Sequence, residues 1–240
     1  MRLRGIALFT GSLAEARPLA AALSSRGVTA TVTVAGELRL DSGVRTSDHG
    51  VVVNLVGEEA SVGVRALAAE YLAYLADIEV PTVNGLDAFV VGSSRARQLA
   101  LLDHVGVAHP PARVVADDAL IPAALADLGL TSDAALVQPG PPIVVQAAAA
   151  AGDAVRIEYV AGRQLAAAVA GAPVTVDLDV SRLGATLVTT GGIEFGGVTF
   201  ALDLTTRRPH CLGIDTALPT SPLGLDALVE HILTRAGRPT

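Results

Sequence analysis

Lysine is absent from this 240-residue sequence, in which all 17 basic side chains are arginine. Lysine is normally among the commonest residues of a protein, so every mechanism that needs a lysine ammonium group is excluded. Arginine supplies positive charge as a planar fork rather than as a compact point charge. The chain is rich in Ala, Gly, Val and Arg, which indicates compositional bias as the main cause of the gap.

Tryptophan is also absent, aromatic residues make up 3% of the chain, and Cys211 is the only cysteine. Because hydrophobic residues reach 51%, the core must consist mainly of Val, Leu, Ala and Ile. A single cysteine excludes an internal disulfide framework and a multi-cysteine zinc site. Cys211 lies in an apolar run, which indicates a small buried hydrophobic residue rather than a nucleophile.

Positive charge is scarce, with a net charge of −7 and a pI near 5.1. This balance argues against a nucleic-acid surface, so we expect no nucleic-acid partner. No apolar run reaches the about 18 residues that a membrane-spanning helix needs, and the apolar stretch near the N-terminus is explained better by a strand than by a signal peptide. We therefore expect a cytoplasmic protein without membrane contact.

Motifs for several other chemistries are missing. The histidines show neither HxH nor HExxH spacing, which argues against a zinc enzyme. No G-x-G-x-x-G or P-loop pattern supports a dinucleotide site or a Walker-type NTPase. Gly11 and Ser12, after the first predicted strand, suggest an anion site at the following helix N-terminus, but that feature is generic.

Strand and helix patterns alternate in the first part of the chain. They predict strands at 5–9, 28–34, 51–56 and within 81–85, and helices at 13–26 and 62–75. Such alternation implies a parallel sheet with helices on its faces. We place this α/β unit at residues 1–88 and a linking helical segment, with its helix at 94–104, at residues 89–116.

The remaining residues, 117–240, predict an α+β unit with antiparallel hairpins. A strand is expected at 112–116, at the end of the linking segment, and further strands at 135–138, 143–146, 155–160, 164–169, 174–178, 199–204 and 211–214, with helices only at 120–128 and 223–236. Gly162 and Arg163 suggest a hairpin turn between two of these strands.

Three segments occur in the same order as motifs of a known ligase family. They are VPTVNG at 80–85, SRARQLALL at 94–102 and GVAHP at 106–110. Weaker matches follow at 144–146, 152–158, 191–195 and 209–215. Together they resemble the ATP-grasp ligases, especially the ribosomal-protein glutamate ligases and glutathione synthetase. The resemblance implies a pre-ATP-grasp unit followed by a truncated ATP-grasp domain, with ATP and Mg²⁺ as cofactors.

The resemblance assigns phosphate-handling positions that this sequence has altered. The family's first phosphate lysine falls on Arg95, for which the alternative is a solvated helix residue. The second falls on the neutral Gln138. Residues 139–142, Pro-Gly-Pro-Pro, stand where a glycine-rich flap is expected. Proline cannot donate a backbone N–H to phosphate, so we interpret this segment as a tight structural turn.

The other assigned positions are mixed. Gln146 falls on the adenine hinge, but alanines follow it. Arg156 falls on an arginine near phosphate or substrate, although it would equally fit a surface ion pair with Glu158. Glu194 takes the first metal-carboxylate position and Asp215 takes the asparagine position, which leaves a weak magnesium site. A second register places Thr199 at the acid position and leaves only Asp215.

These losses favour a degenerate, non-catalytic ATP-grasp protein that acts as a binding or assembly partner of a true ligase or of a peptide-modifying system. We expect ATP and Mg²⁺ not to be bound productively. The alternative is an active carboxylate–amine or carboxylate–thiol ligase that uses Arg95, Arg156, Glu194 and Asp215. Ala-rich helices at 67–75 and 223–233 also suggest a homodimer, which is compatible with both hypotheses.

Overall fold

The structure is a computed structural model that describes residues 5–38, 49–138, 142–148, 154–202 and 208–237. Within these ranges, the first half (residues 5–92) contains four strands and three α-helices. These are β1 (Gly5–Thr10), α1 (Leu13–Ser25), β2 (Ala30–Val34), β3 (His49–Asn54), α2 (Val62–Asp77), β4 (Thr82–Val83) and α3 (Leu86–Gly92). All pairings in this sheet are parallel and its strand order is β2-β1-β3-β4.

This strand order creates a crevice next to β1. The chain leaves β1 toward β2 on one side, and β3 then pairs with the other side of β1. The connections therefore diverge between β1 and β3, which is the kind of switch point where open α/β sheets bind ligands. Both strands are buried runs, as expected for a parallel sheet covered on both faces.

The linking helix α4 (Arg95–Val105) begins at the Ser94 N-cap and ends at Gly106, whose φ of 75° is left-handed. Its predicted bounds are confirmed to within one residue. A small antiparallel sheet follows, with the order β5-β7-β6. Its members are β5 (Ala112–Val115), β6 (Ala135–Gln138) and β7 (Ile143–Ala147), with α5 (Ile121–Leu128) beside them.

The last part forms an antiparallel sheet with the order β10-β9-β8-β11-β12. Its elements are β8 (Val155–Val160), β9 (Arg163–Val169), β10 (Ala172–Pro173), α6 (Leu178–Thr190), β11 (Phe195–Leu202), β12 (Pro209–Asp215) and α7 (Pro222–Arg235). Ala161 and Gly162 take positive φ values of 50° and 73°, which confirms the predicted hairpin. Gly196 to Phe200 lie inside β11: all five pair with β8, and Gly197 to Phe200 also pair with β12.

One sequence prediction in this region is wrong. Residues 174–178 do not form a strand: α6 begins at Leu178, with the Asp177 side chain as its N-cap. Gly184 brings α6 against β8, since a Cβ there would lie 2.0 Å from the Tyr159 hydroxyl. The Tyr159 hydroxyl donates to the Ser181 carbonyl at 2.8 Å. Tertiary packing therefore stabilises a helix whose β-branched and glycine residues have low helix propensity.

The C-terminal helix packs on the first half of the molecule. Leu228, Val229, Ile232 and Leu233 of α7 share one buried cluster with residues of α1, β1 and β3. The faces of α2 and α7 that suggested a dimer are largely buried within the chain itself, and the dimer stays a prediction. No helix in the described ranges is long and apolar enough to cross a membrane.

Candidate functional site

A cavity of about 710 Å³ opens at the carboxyl ends of β1 and β3. Four chain segments line it: the turn from β1 into α1, the loop from β3 into α2, Gly92 at the end of α3, and the segment from the end of β12 into α7. The cavity therefore lies at the switch point of the parallel sheet and also contacts the second half of the chain. Its position is where this kind of sheet places ligands.

The three helices that border the cavity begin there because each has a serine N-cap. Ser12 accepts from the Glu15 amide, Ser61 from the Val64 amide and Ser221 from the Gly224 amide, at 3.4, 3.4 and 3.1 Å. A serine oxygen at this position satisfies an otherwise unpaired helix N–H group. The capping serines thus fix where α1, α2 and α7 start around the cavity.

The predicted anion site at Gly11 and Ser12 already has a carboxylate beside it. Thr10 donates to Glu15 Oε2 at 2.9 Å, and this oxygen lies 3.3 Å from the position of a Cβ on Gly11. A negative side chain in the first turn complements the helix dipole. An external anion would have to compete with this internal one.

Acidic side chains dominate the polar lining of the cavity. Its described lining includes four acidic residues and no basic residue; the acids are Glu15, Glu58, Glu59 and Asp215. Glu58 is exposed at the surface but partly covered at its carboxyl, and this partial burial raises its pKa, as do the charges of Asp215 and Glu59. The repulsion shows that negative charge is concentrated on this wall.

Arg156 forms the predicted ion pair with Glu158 and also pairs with Asp215, whereas its phosphate role stays a prediction. Its Nε and Nη2 donate to the two Asp215 oxygens at 3.0 and 2.8 Å, and Nη1 donates to Glu158 at 3.0 Å. Gly197 leaves room for the guanidinium, because a Cβ there would lie 2.6 Å from Arg156 Cζ. Burial opposes the charged form, but these bonds outweigh it and raise the pKa of Arg156.

Glu158 anchors the segment that closes one side of the cavity. Its Oε1 accepts from the Thr220 amide and hydroxyl, both at 2.7 Å, and its Oε2 accepts from the Ser221 amide and hydroxyl at 3.3 and 2.6 Å. Burial alone would raise the pKa of this carboxyl, yet the hydrogen bonds lower it to about 2. Sequence reasoning missed this anchor; a glutamate between two buried strand residues was the available signal.

Arg95 and Gln146, both predicted as cofactor-binding residues, are in contact. Arg95 Nε donates to Gln146 Oε1 at 3.0 Å, and its Nη1 donates to Gln98 Oε1 at 2.9 Å. The side chain of Arg95 is 7% exposed, so the alternative of a solvated helix residue is wrong. Its buried Nη2 has no hydrogen-bond partner among the residues that the structure describes.

Burial lowers the pKa of Arg95, against smaller opposite effects of Cys211 and Glu58. Cys211 is fully buried, as predicted, and burial raises the pKa of its thiol to about 11. The thiolate is the reactive form of cysteine. A nucleophilic role for Cys211 therefore has no support at neutral pH.

Glu194 and Asp215 have different partners. His231 Nε2 lies 2.6 Å and Arg235 Nε 3.4 Å from Glu194 Oε2, whereas Asp215 is held by Arg156. Across the described ranges, no group of three or more His, Cys, Asp or Glu residues is arranged to hold a metal ion. The two-carboxylate magnesium site stays a prediction, and the donors it would use are already bonded to cationic or imidazole groups.

Asn84 connects two of the segments that resemble the ligase family. Its Oδ1 accepts from the amides of Glu194 and Phe195 at 2.8 and 3.2 Å, and its Nδ2 donates to the Phe195 carbonyl at 2.7 Å. Its φ of 53° is in the left-handed region that asparagine tolerates. The asparagine of the VPTVNG segment therefore positions the backbone of Glu194.

Gln138 ends β6, and its buried Oε1 has no partner among the described residues. The predicted proline turn lies mostly outside the described residues, at 139–141. Gln138 therefore keeps the predicted position at the strand end, and its neutral amide supplies no charge there.

No family model and no curated protein matches the sequence. Among solved structures, a RimK domain ATP-grasp protein from Sphaerobacter thermophilus aligns with TM-score 0.75 and 19% identity over 95% of this chain and 99% of that chain. The ATP-grasp ligase PsnB, complexed with precursor peptide PsnA2 and AMPPNP, aligns with TM-score 0.70 and 12% identity over 98% of each chain. Macrocyclase MdnC from Microcystis aeruginosa, bound with precursor peptide MdnA, aligns with TM-score 0.68 and 13% identity over 95% of this chain and 99% of that chain. The chain therefore has the ATP-grasp fold.

Proposed function

We propose that this protein is a non-catalytic binding protein on the ATP-grasp fold, which acts as a partner of a peptide or of a ligase that modifies one. The observation that carries the proposal is the pairing of both candidate metal acids with arginine. Asp215 is held in a bidentate pair by Arg156, and Glu194 by His231 and Arg235. Neither carboxylate is available in the way that a resident magnesium ion requires.

The energetics support this interpretation. Magnesium prefers near-octahedral oxygen ligands and is usually held by carboxylates together with substrate phosphates. Recruiting Asp215 would break two short bonds and leave the partly buried Arg156 with one carboxylate fewer. The two side chains of this pair are 28% and 32% exposed, so the loss is smaller than for a fully buried pair, but it still opposes metal binding.

The residues at the phosphate-handling positions support the same conclusion. The sequence has no lysine, Gln138 is neutral, and two of the three Arg95 nitrogens are bonded to glutamine side chains. Transfer of a phosphoryl group depends almost entirely on positioning and charge neutralisation. The residues present do not fit a bound Mg²⁺–ATP complex, so we derive no reaction step through one.

A peptide partner is suggested by the comparisons and by the cavity. PsnB and MdnC are described as complexed with precursor peptides. The cavity of this chain measures about 710 Å³, within the range of sites that enclose small ligands or peptide side chains. Binding a peptide would not require any of the altered phosphate-handling positions.

The test is phosphate release from ATP with Mg²⁺ and glutamate-containing peptides as acceptors. We expect the wild-type protein to release no more phosphate than the Glu194→Gln variant, which lacks a candidate metal carboxylate and controls for contaminating ATPases. Magnesium-dependent release that disappears in Glu194→Gln would contradict the proposal.

One observation favours the alternative of nucleotide binding without the usual lysines. The buried Nη2 of Arg95, which has no hydrogen-bond partner among the described residues, is a donor that a phosphate oxygen would satisfy. Calorimetric titration with ADP in the absence of metal separates the two possibilities. Heat that is present in the wild type and absent in Arg95→Met would support a nucleotide site, and no heat at millimolar ADP would count against it.

A further inference from the structure

We propose that the cavity between β1, β3 and α7 takes a cationic side chain, an ammonium or a guanidinium, carried by a peptide segment with apolar neighbours. The inference rests on the proposed binding function and names the chemical class of the ligand. It depends on the charge of the cavity wall, on the lining beside it and on exposed apolar residues at the three helix starts.

The charge of the wall selects for a cation. Asp215 is neutralised by Arg156, and Glu15 accepts from Thr10. Glu58 and Glu59 are exposed, and neither carboxylate has a hydrogen bond or ion pair to any described residue. Arg65 and Arg95 offset the charge around Glu58 only in part. Two carboxylates that are bonded to no described residue therefore line the cavity and repel negative ligands.

Three helix N-termini border the same cavity and would by themselves favour an anion. Their capping positions are already filled by serine oxygens, and the Glu15 carboxylate lies in the first turn of α1. An external anion would meet Glu15 at one side and Glu58 and Glu59 at another. The carboxylates carry full charges whereas each helix end carries about half of one, so the balance favours a cation.

The rest of the lining suits an aliphatic stem and apolar neighbours. Leu55, Val64, Leu218 and Leu225 contribute apolar surface to the cavity. Long cationic side chains bury their methylene stems along such surface while their charged group meets a polar partner.

Each of the three helices also exposes an apolar residue in its first turn. Leu13 of α1 is 62% exposed, Val62 of α2 is 59% exposed and Leu223 of α7 is 62% exposed. Leu13 is next to Ala14, Val62 is next to Ser61, and Leu223 is two residues before Leu225. Ala14, Ser61 and Leu225 all line the cavity. Single exposed apolar residues are common on protein surfaces, but these three adjoin the lining of one cavity and add apolar surface beside it. A free amine would leave them uncovered, whereas a peptide with apolar residues next to its cation would cover them.

The probes are three blocked tripeptides that differ at one position: acetyl-Leu-Arg-Leu-amide, its citrulline analogue and its glutamate analogue. Citrulline preserves the shape of arginine and removes its charge. Binding is measured by protein-observed NMR titration at low salt without nucleotide. We expect the arginine peptide to bind about tenfold more tightly than the citrulline peptide, and the glutamate peptide most weakly. Higher salt should reduce the difference, since partly exposed charges are screened.

Protein variants locate the effect. Glu58→Gln with Glu59→Gln should abolish most of the preference for arginine over citrulline. The matched control is Glu70→Gln with Asp77→Asn, which removes the same charge from exposed positions of α2 that do not line the cavity. Leu13→Ser should lower the affinity for the arginine peptide and for the citrulline peptide alike, by about threefold. Its control is Leu178→Ser, at an equally exposed first residue of α6.

Any of three results would overturn this inference. The arginine and citrulline peptides could bind with equal affinity, the glutamate peptide could bind more tightly, or no probe could bind at millimolar concentration. An equal loss in the cavity and control double variants would overturn it as well. These titrations are independent of the test of catalysis. Magnesium-dependent turnover would refute the non-catalytic proposal, but the titrations contain no nucleotide and would still measure the charge preference of the cavity.

Discussion

Glu158 shows how a single buried carboxylate can determine the shape of a cavity wall. It is 4% exposed, yet it accepts bonds from Arg156, from Thr220 and from Ser221. A buried charge is tolerable only when it is paired and hydrogen-bonded. Because Thr220 lines the cavity and Ser221 caps α7, this carboxylate positions the cavity wall.

We expect Glu158→Gln to lower the free energy of unfolding by about 3 kcal/mol at pH 7. An amide nitrogen would face the donors of Thr220 or Ser221. The pKa of Glu158 falls from an ordinary value of 4.5 to about 2 on folding, so its stabilisation is complete above pH 4.5 and is lost as the pH falls toward 2. Urea unfolding followed by circular dichroism should therefore show a wild-type advantage that shrinks between pH 5 and about pH 2. A constant difference across this range would contradict the assignment, and the exposed Glu70→Gln serves as the control.

The sequence predicted which single residues belong to the site and on which strands they lie, but it did not predict which side chains bond to each other. It singled out Arg156 and Asp215 separately, but the bidentate pair joins residues 59 positions apart across β8 and β12. It left open whether Arg95 is solvated, because burial depends on β7 and β12 packing beside α4. Long-range pairing of this kind has no local sequence signal.

At the scale of elements, the N-terminus of α7 joins helix capping to the polar cluster. Ser221 accepts from the Gly224 amide and also donates to the Glu158 carboxylate. Ser61 caps α2 in the same way, but no bond from its hydroxyl to a carboxylate is found among the described residues. The two serines therefore form a natural pair for separating the cap from the charged hydrogen bond.

We expect Ser221→Ala to cost about 2–3 kcal/mol of unfolding free energy, because it removes both the cap and a charge-assisted bond. Ser61→Ala should cost about 1 kcal/mol, the usual loss for a cap alone. Chemical denaturation of both variants at pH 7 measures the difference. Equal losses would show that the bond to Glu158 contributes nothing, and Ser221→Thr should restore most of the stability.

The sequence predicted the helices whose caps and periodicity agree with their packing, such as α1, α2 and α4. It failed at α6, which begins at Leu178 and lacks a strong propensity signal. The short α3, at Leu86–Gly92, was also missed because seven residues show too little periodicity. Both helices lie where tertiary packing, rather than local preference, decides the conformation.

At the scale of the whole molecule, one hydrophobic cluster joins the two halves of the chain. Leu19 and Leu23 of α1 share it with Leu228 and Ile232 of α7 and with Phe195 of β11. The predicted alternation in the first half is confirmed as a parallel sheet, but the sequence offered no sign that the last helix would cover it. The unit boundaries at 88/89 and 116/117 stay predictions.

This shared cluster predicts that the two halves unfold together. Ile232→Ala truncates a fully buried side chain, and we expect it to lower the free energy of unfolding by about 3 kcal/mol. Hydrogen exchange followed by mass spectrometry should show the same loss of protection in peptides from β1 and β3 as in peptides from β8 and β11, because both halves depend on the same cluster. Leu223→Ala, on the exposed side of the same helix, should leave both sets nearly unchanged. Faster exchange confined to the peptides around α7 would instead mean that α7 detaches locally, and that the cavity it borders opens without unfolding of either half.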